Sequence, residues 1–187
     1  AKKKFPDSKS DLFAMFIERG FTWCKDSGFN SMVTMQSWMY LSSYEAMREK
    51  LLKDRTFSCM AHMGNGVMGI AFGTAATIML NKHIGDYAGS FSYCEYDDLN
   101  ENGVPKQFPV KNKRLKTAKP DDFKKIPGSP IAYWLNNNIY NFFKNSPNIC
   151  TVSDPRQGMA TTDNSTYLRS WHEITFEKFG VNYENAK

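Results

Sequence analysis

Residues 29–63 decide the fold: FNSMVTMQ (29–36), SSYEAMREKLLKD (42–54) and TFSCMAHM (56–63) read as strand, helix, strand. The flanking segments are short, rich in Val, Thr, Phe and Met, and do not alternate cleanly, as expected of strands buried on both faces. Between them Ser42 and Glu45 have the spacing of a capping box, in which hydroxyl and carboxylate each take an otherwise unpaired backbone N–H. Tyr44, Met47 and Leu51 then share one helical face. Ten helical residues span about 15 Å and six strand residues about 20 Å. The helix is thus long enough to return the chain, and the segment closes a parallel strand pair by a crossover. The fold class is α/β.

Working outward, 187 residues suit one domain or one domain plus an appendage, and the second is preferred. Hydrophobic content of 41% supplies a core, and a charged fraction of 23% argues against disorder. No run reaches the roughly twenty apolar residues of a membrane span. Cys24, Cys59, Cys94 and Cys150 lie far apart without a C-x-x-C pair, so no metal site is expected and reduced thiols in a cytoplasmic protein are. The first residue is alanine, which suggests processing or a piece of something longer.

The net charge of +5 is unevenly spread: residues 106–125 hold eight Lys or Arg against Asp121 and Asp122. With three prolines nearby and little apolar periodicity, the stretch reads as a surface linker. It is either a solvated loop or a phosphate-contacting strip.

Before residue 29, a basic lead-in over 1–9 is expected to fray, and a helix capped by Ser10 runs to about Cys24 with Leu12, Phe13, Phe16 and Ile17 buried. After residue 63, the glycine-rich turn GNGVMGIAFG (64–73) is too short for another helical crossover. The apolar run TAATIMLN (74–81) is therefore an antiparallel third strand. FSYCEY (91–96) reads as a short strand. Ser129 and Pro130 have the look of N-cap and N1, followed by a stripe of Ile131, Trp134, Leu135, Ile139 and Phe142. YLRSWHEITF (167–176) is aromatic and strand-like.

The common catalytic motifs are missing: there is no G-x-G-x-x-G, P-loop, H-E-x-x-H or G-x-S-x-G. His62, His83 and His172 are dispersed, and His62 on a buried strand reads as a satisfied core residue rather than a base. Gly64-Asn65-Gly66 reads as a tight hairpin in preference to a phosphate cradle.

The run from DLFAMFIERGFTWC (11–24) through AHMGNG (61–66) to FGTAATIML (72–80) resembles adenine-specific DNA N6-methyltransferases in the region after their catalytic tetrapeptide. The likeness is to the large enzymes of BREX-type phage-defence systems and their type IIG restriction-modification relatives. PGSPIAYW (127–134) and QGMATTDNSTYLRSW (157–171) resemble the following linker and the start of the target-recognition region. The resemblance implies a partial Rossmann-like methyltransferase sheet made of the last three strands, the final one antiparallel between the other two. It also implies residues 1–100 as the latter part of the catalytic domain, 101–128 as a basic linker and 129–187 as a helix plus the beginning of a recognition region. The cofactor would be S-adenosylmethionine and the partner double-stranded DNA.

Family members hold the methyl donor in a glycine-rich loop and the extruded adenine in an Asn/Asp-Pro-Pro-Tyr/Phe loop. This sequence has neither, so no catalytic or cofactor-binding residue is expected within it. By resemblance, Phe72 matches the aromatic region beside the flipped base. Arg156, Arg169 and Lys178 are candidate phosphate contacts. The expected function is therefore that of a methyltransferase segment inactive alone, with a stand-alone DNA-binding or decoy module as the alternative. A missing neighbouring strand would leave the edge near Val33 unpaired, open to water or to self-association.

Overall fold

The computed structural model describes residues 1–107, 110, 112–154 and 163–178. Two compact units divide the chain, Ala1–Ser146 and Pro147–Lys187.

In the first unit β1 (Phe29–Met35), β2 (Thr56–Met63), β3 (Thr74–Leu80), β4 (Gly89–Cys94) and β5 (Lys116–Ala118) form one mixed sheet in the order β1-β3-β2-β4-β5. β3 is antiparallel to both β1 and β2, and β4 is parallel to β2. β1 and β2 thus run the same way, as the helical crossover requires, but β3 stands between them and makes the hydrogen bonds to both.

A bulge between Phe57 and Cys59 explains why β2 does not alternate. It puts Phe57, Met60 and His62 on one face, opposite Met79, Thr77 and Ala75 of β3. That face is the core. Ala14, Ile17 and Phe21 of α1 (Leu12–Trp23) pack there with Met47, Leu51 and Leu52 of α2 (Glu45–Asp54), the segment Ile131 to Tyr133, and Tyr140 of α4 (Asn137–Asn145). A second, smaller cluster of Met63, Val67, Cys94, Leu99 and Val110 joins Ala76, whose neighbours in register lie on the reverse face.

β1 departs from the expectation of burial on both sides. Asn30 and Thr34 point into the core, while Phe29 and Val33 are each 63% exposed. The inward Asn30 is tolerated because its amide donates to the Ile17 carbonyl at 3.1 Å, leaving no buried donor wasted. Gly20 of α1 lets the helix approach this closely, since a Cβ there would lie 2.6 Å from Met32 and 2.7 Å from Asn30.

Several local expectations are corrected. α1 is capped by Asp11, not Ser10, and buries Ala14, Met15, Ile17 and Phe21 while Leu12 and Phe16 face out. The lead-in is anchored, because buried Ser8 donates its hydroxyl to Glu18. Ser42 makes no capping bond: 42–44 form a 3-10 turn and α2 begins at Glu45 without a side-chain cap.

The basic stretch is no detached linker. It supplies β5 and α3 (Pro120–Phe123), and buries Val110, Phe123 and Ile126. The later helix begins at Asn137 rather than Pro130, capped by the Asn136 side chain on the Ile139 N–H. Gly128 and Ser129 have φ of 77° and 47°, a left-handed corner that prevents helix initiation there. Ile131, Ala132 and Tyr133 can then all be buried, which one helical face would not permit.

Arg48 of α2 locks that corner. Its guanidinium is buried and donates to Trp38 O (2.9 Å), Leu41 O (2.6 Å) and twice to Gly128 O (3.0 and 2.6 Å).

In the second unit the described residues form helical turns, among them α5 (Asn164–Tyr167). Asp163 caps α5, and a reciprocal Ser170–Glu173 capping box closes the turn Trp171–Glu173. These caps lie within or beside the run expected as an aromatic strand, and they favour turns over extended backbone.

Candidate functional site

Beside the carboxyl ends of β2 and β4 the first unit holds a cavity of about 530 Å3. Its apolar wall is a ring cluster. His62 lies 4.8 Å from Tyr93 and 6.5 Å from Trp134, centroid to centroid, and Tyr133 meets Trp134 edge-on at 5.1 Å. Tyr133 is fixed from behind by stacking on Phe91 at 4.9 Å.

His62 is held on both nitrogens, by Tyr133 Oη at Nδ1 (2.9 Å) and by Gln36 Oε1 at Nε2 (2.5 Å). The arrangement is satisfied when Nε2–H donates to Gln36 and Nδ1 accepts from the tyrosine hydroxyl. Burial holds the imidazole neutral, with its pKa down at about 4, and pushes the Tyr133 phenol up. His62 is thus a structural pin for the rings, not a base poised near neutrality.

The opposite rim is charged. Arg114 pairs with Asp98 at 2.5 Å and with Glu95 at 3.4 Å, and its guanidinium stands 6.0 Å from the Tyr93 ring centroid. The Glu95 N–H and the Arg114 guanidinium lower the Asp98 pKa. Lys113 and Lys116 also line the cavity, both exposed. Elsewhere in the basic stretch, Lys119 pairs with Asp86, Lys124 with Asp121 and Lys125 with Asp122, so local acids neutralise much of its charge.

The glycine-rich turn between β2 and β3 is a closed loop. Gly64 N–H is bonded to Cys94 O (2.9 Å), Gly66 N–H to Ile70 O (2.8 Å) and Met68 N–H to Gly103 O (2.8 Å). With these donors committed, the turn does not fit the cradle of a phosphate or of a methyl-donor cofactor. Among the described residues no group of His, Cys, Asp and Glu could hold a metal ion, and no helix is long and apolar enough to cross a membrane.

Phe72 lies in this turn, 49% exposed. Arg156 falls outside the described residues. Arg169 and Lys178 are exposed in the second unit, where Arg169 Nη1 donates to Ser165 O and Leu168 O at 2.6 and 2.7 Å. Phe72 therefore belongs to one unit and the two cations to the other. The ring cluster escaped the sequence because it is assembled from residues 62, 93, 133 and 134, on segments with no shared period. A Tyr-Trp pair just after a proline-glycine corner was the one visible trace.

The family model described as Eco57I restriction-modification methylase matches residues 1–68. The adenine-specific methyltransferase BrxX of Escherichia coli O9:H4 (strain HS) is 43% identical over 186 residues, covering 96% of this chain and 15% of that protein. The adenine-specific methyltransferase PglX of Lacticaseibacillus casei (strain Zhang) is 33% identical over 185 residues, covering 94% and 15%. A nuclease-deletion mutant of the Type ISP restriction-modification enzyme LlaGI, solved with a DNA substrate mimic, aligns at a TM-score of 0.44 and 14% identity over 71% of this chain and 14% of that one. At that level the likeness identifies neither fold nor function. The chain spans about 15% of the length of the curated relatives it matches, and over that span it is similar to adenine-specific methyltransferases.

Proposed function

We propose that this chain is the latter part of the catalytic core of an S-adenosylmethionine-dependent DNA adenine-N6 methyltransferase serving BREX-type defence or restriction-modification, and that it does not transfer methyl groups alone. The observation that carries the reading is the 43% identity to an adenine-specific methyltransferase across 96% of this chain. In this reading β1, β2 and β3 are the last three strands of a Rossmann-like sheet, supported by the antiparallel β3 lying between two strands of common direction. Residues 1–100 belong to the catalytic core. The basic stretch 101–128 continues it, and the segment from 129 leads into a target-recognition region.

Physical support comes from the reverse face of the sheet. Phe29 and Val33, each 63% exposed, and Ile78, 38% exposed, form an apolar strip there, which a neighbouring part of a larger core would cover. β1 is also the sheet's edge, with backbone groups able to accept another strand. The remainder of the catalytic core covers both in this reading, and the isolated chain self-associates through them. Phe72 would face the extruded adenine, and Arg156, Arg169 and Lys178 the phosphates of double-stranded DNA, in the cytoplasm. The methyl-donor loop and the Asn-Pro-Pro-Tyr loop lie outside this sequence, so no reaction step is assigned to residues present here.

Calorimetry with S-adenosylmethionine tests the incomplete donor site: no binding in the submillimolar range is expected of the chain, and submillimolar binding would overturn the reading. The second reading, a stand-alone DNA-binding module, is favoured by the basic stretch. It requires salt-dependent duplex binding by the isolated chain, although Asp86, Asp98, Asp121 and Asp122 already pair with four of its cations.

A further inference from the structure

We infer that the outward face of α1 docks a separate protein, which lays an acidic amphipathic helix along it. Leu12, Phe16, Arg19 and Trp23 recur at the spacing of a single helical face, and Leu12, Phe16 and Trp23 are 60%, 53% and 64% exposed. The opposite face, with Ala14, Ile17 and Phe21, is sunk in the core. A helix that is apolar on two opposite sides is ordinarily covered on both, and here one side is open. The remainder of a catalytic core, as proposed above, does not reach it. A strand added beside β1, or a layer on the reverse face of the sheet, leaves α1 standing between itself and the stripe. The inference goes beyond that reading and does not depend on it.

The stripe lines a groove of about 220 Å3 together with Met15, Ala1 and Phe5. Ala1 and Phe5 are joined by a turn in which the Lys4 and Phe5 N–H groups donate to Ala1 O at 2.9 and 3.1 Å, and this turn carries Lys2, Lys3 and Lys4, all exposed. Among the described residues neither these lysines, nor Lys9, nor Arg19 pairs with a carboxylate; the Arg19 guanidinium lies 4.7 Å above the Trp23 ring. The acids nearest in sequence are engaged elsewhere, Asp7 and Glu18 with Lys50 at 3.9 and 3.3 Å and Asp11 with the Leu12 N–H at 2.6 Å. The groove is therefore apolar at its centre and positively charged at its rim. Charge complementarity calls for carboxylates flanking an apolar stripe. A second copy of the chain would set cations against cations. A segment buried there permanently would strand unpaired lysines, whereas an apolar centre inside a wet, charged rim is the anatomy of a contact that forms and dissociates. From Leu12 to Trp23 the stripe is about 16 Å long at about 1.5 Å per residue. That length matches about three turns of a facing helix, the helix-in-groove mode of recognition.

The test titrates the chain, by fluorescence anisotropy, into two labelled synthetic helices that share one leucine stripe and differ only in carrying Glu or Lys on its flanks. The Glu helix should bind at least about tenfold tighter than the Lys helix and should weaken with added salt. Phe16→Ser, at the centre of the stripe, should weaken the Glu helix at least about tenfold. Lys2→Glu/Lys3→Glu/Arg19→Glu should reverse the preference, so that the Lys helix binds the tighter. These side chains make no bond in the core, and matching thermal melts show that each variant is folded. The complete gene product should bind the Glu helix with the same preference. No binding of the Glu helix, equal affinity for the two helices, a preference that survives the charge reversal, or binding indifferent to Phe16→Ser would each overturn the inference. So would loss of binding in the complete product, which would mean that a segment of its own fills the groove. Phe16-dependent binding of phosphatidylglycerol vesicles or of a DNA duplex would overturn it as well, by giving the face to a lipid surface or to nucleic acid.

Discussion

Acidification from pH 7.5 to pH 5 should destabilise the first unit by about 2 kcal/mol through His62 alone. Burial lowers its pKa from the ordinary 6.5 to about 4, so in that interval the unfolded chain binds the proton and the folded chain does not. Stability is therefore complete above about pH 6.5 and declines as pH falls toward 4. The whole shift corresponds to about 3 kcal/mol, of which about 2 is gone by pH 5. For a chain of this size that is a fall of about 4–8 °C in melting temperature. Asp98 and Asp121 do not mimic the effect, because their carboxyls titrate below the ordinary 3.8. The assay is urea unfolding between pH 7.5 and pH 5 for the wild type and His62→Gln, with the imidazole followed by NMR. The variant's stability should vary with pH by about 2 kcal/mol less over the interval. An imidazole that titrates near 6.5 in the folded chain, or identical pH dependence in both proteins, would refute the reasoning.

Four further outcomes follow from the packing. Arg48→Met should cost about 3–5 kcal/mol in chemical denaturation, because the Trp38, Leu41 and Gly128 carbonyls lose the buried guanidinium that donates to them, and amide exchange at Ile131 should accelerate. Phe123→Ala should cost about 3–5 kcal/mol; a cost below 1 kcal/mol would mean that the basic stretch is detached after all. Gly89→Ala, whose Cβ would sit 2.5 Å from the Phe57 carbonyl oxygen, should cost about 1–3 kcal/mol and lower the melting temperature. Val33→Lys should convert a self-associating chain to a monomer in sedimentation, whereas a wild type that is monomeric at high concentration would dispose of the edge-pairing proposal.

The strand directions were readable because turn length constrains them: ten residues from 64 to 73, rich in glycine, cannot carry a crossover, and the helix over 45–54 can. β1 itself was misjudged. Its inward face is polar, and only the Ile17 carbonyl, thirteen residues away in sequence, makes Asn30 acceptable inside. The helix expected from Pro130 failed because composition cannot announce that Gly128 and Ser129 turn left-handed under the grip of Arg48, eighty residues earlier. Ser42 and Glu45 had the right spacing for a cap, but a tighter turn ending at Tyr44 displaced it. His62 was read correctly as a satisfied core residue; its partners, Gln36 and Tyr133, come from other segments and could not be named in advance.

The central claim is that methyl transfer needs motifs beyond these residues. Its most direct measurement is transfer of labelled methyl groups from S-adenosylmethionine to N6 of adenine in DNA, by the 187-residue chain and by the complete gene product that contains it. Label on adenine from the complete product and none from the chain is the predicted result. Label from the chain alone, or none from a folded complete product, would contradict it.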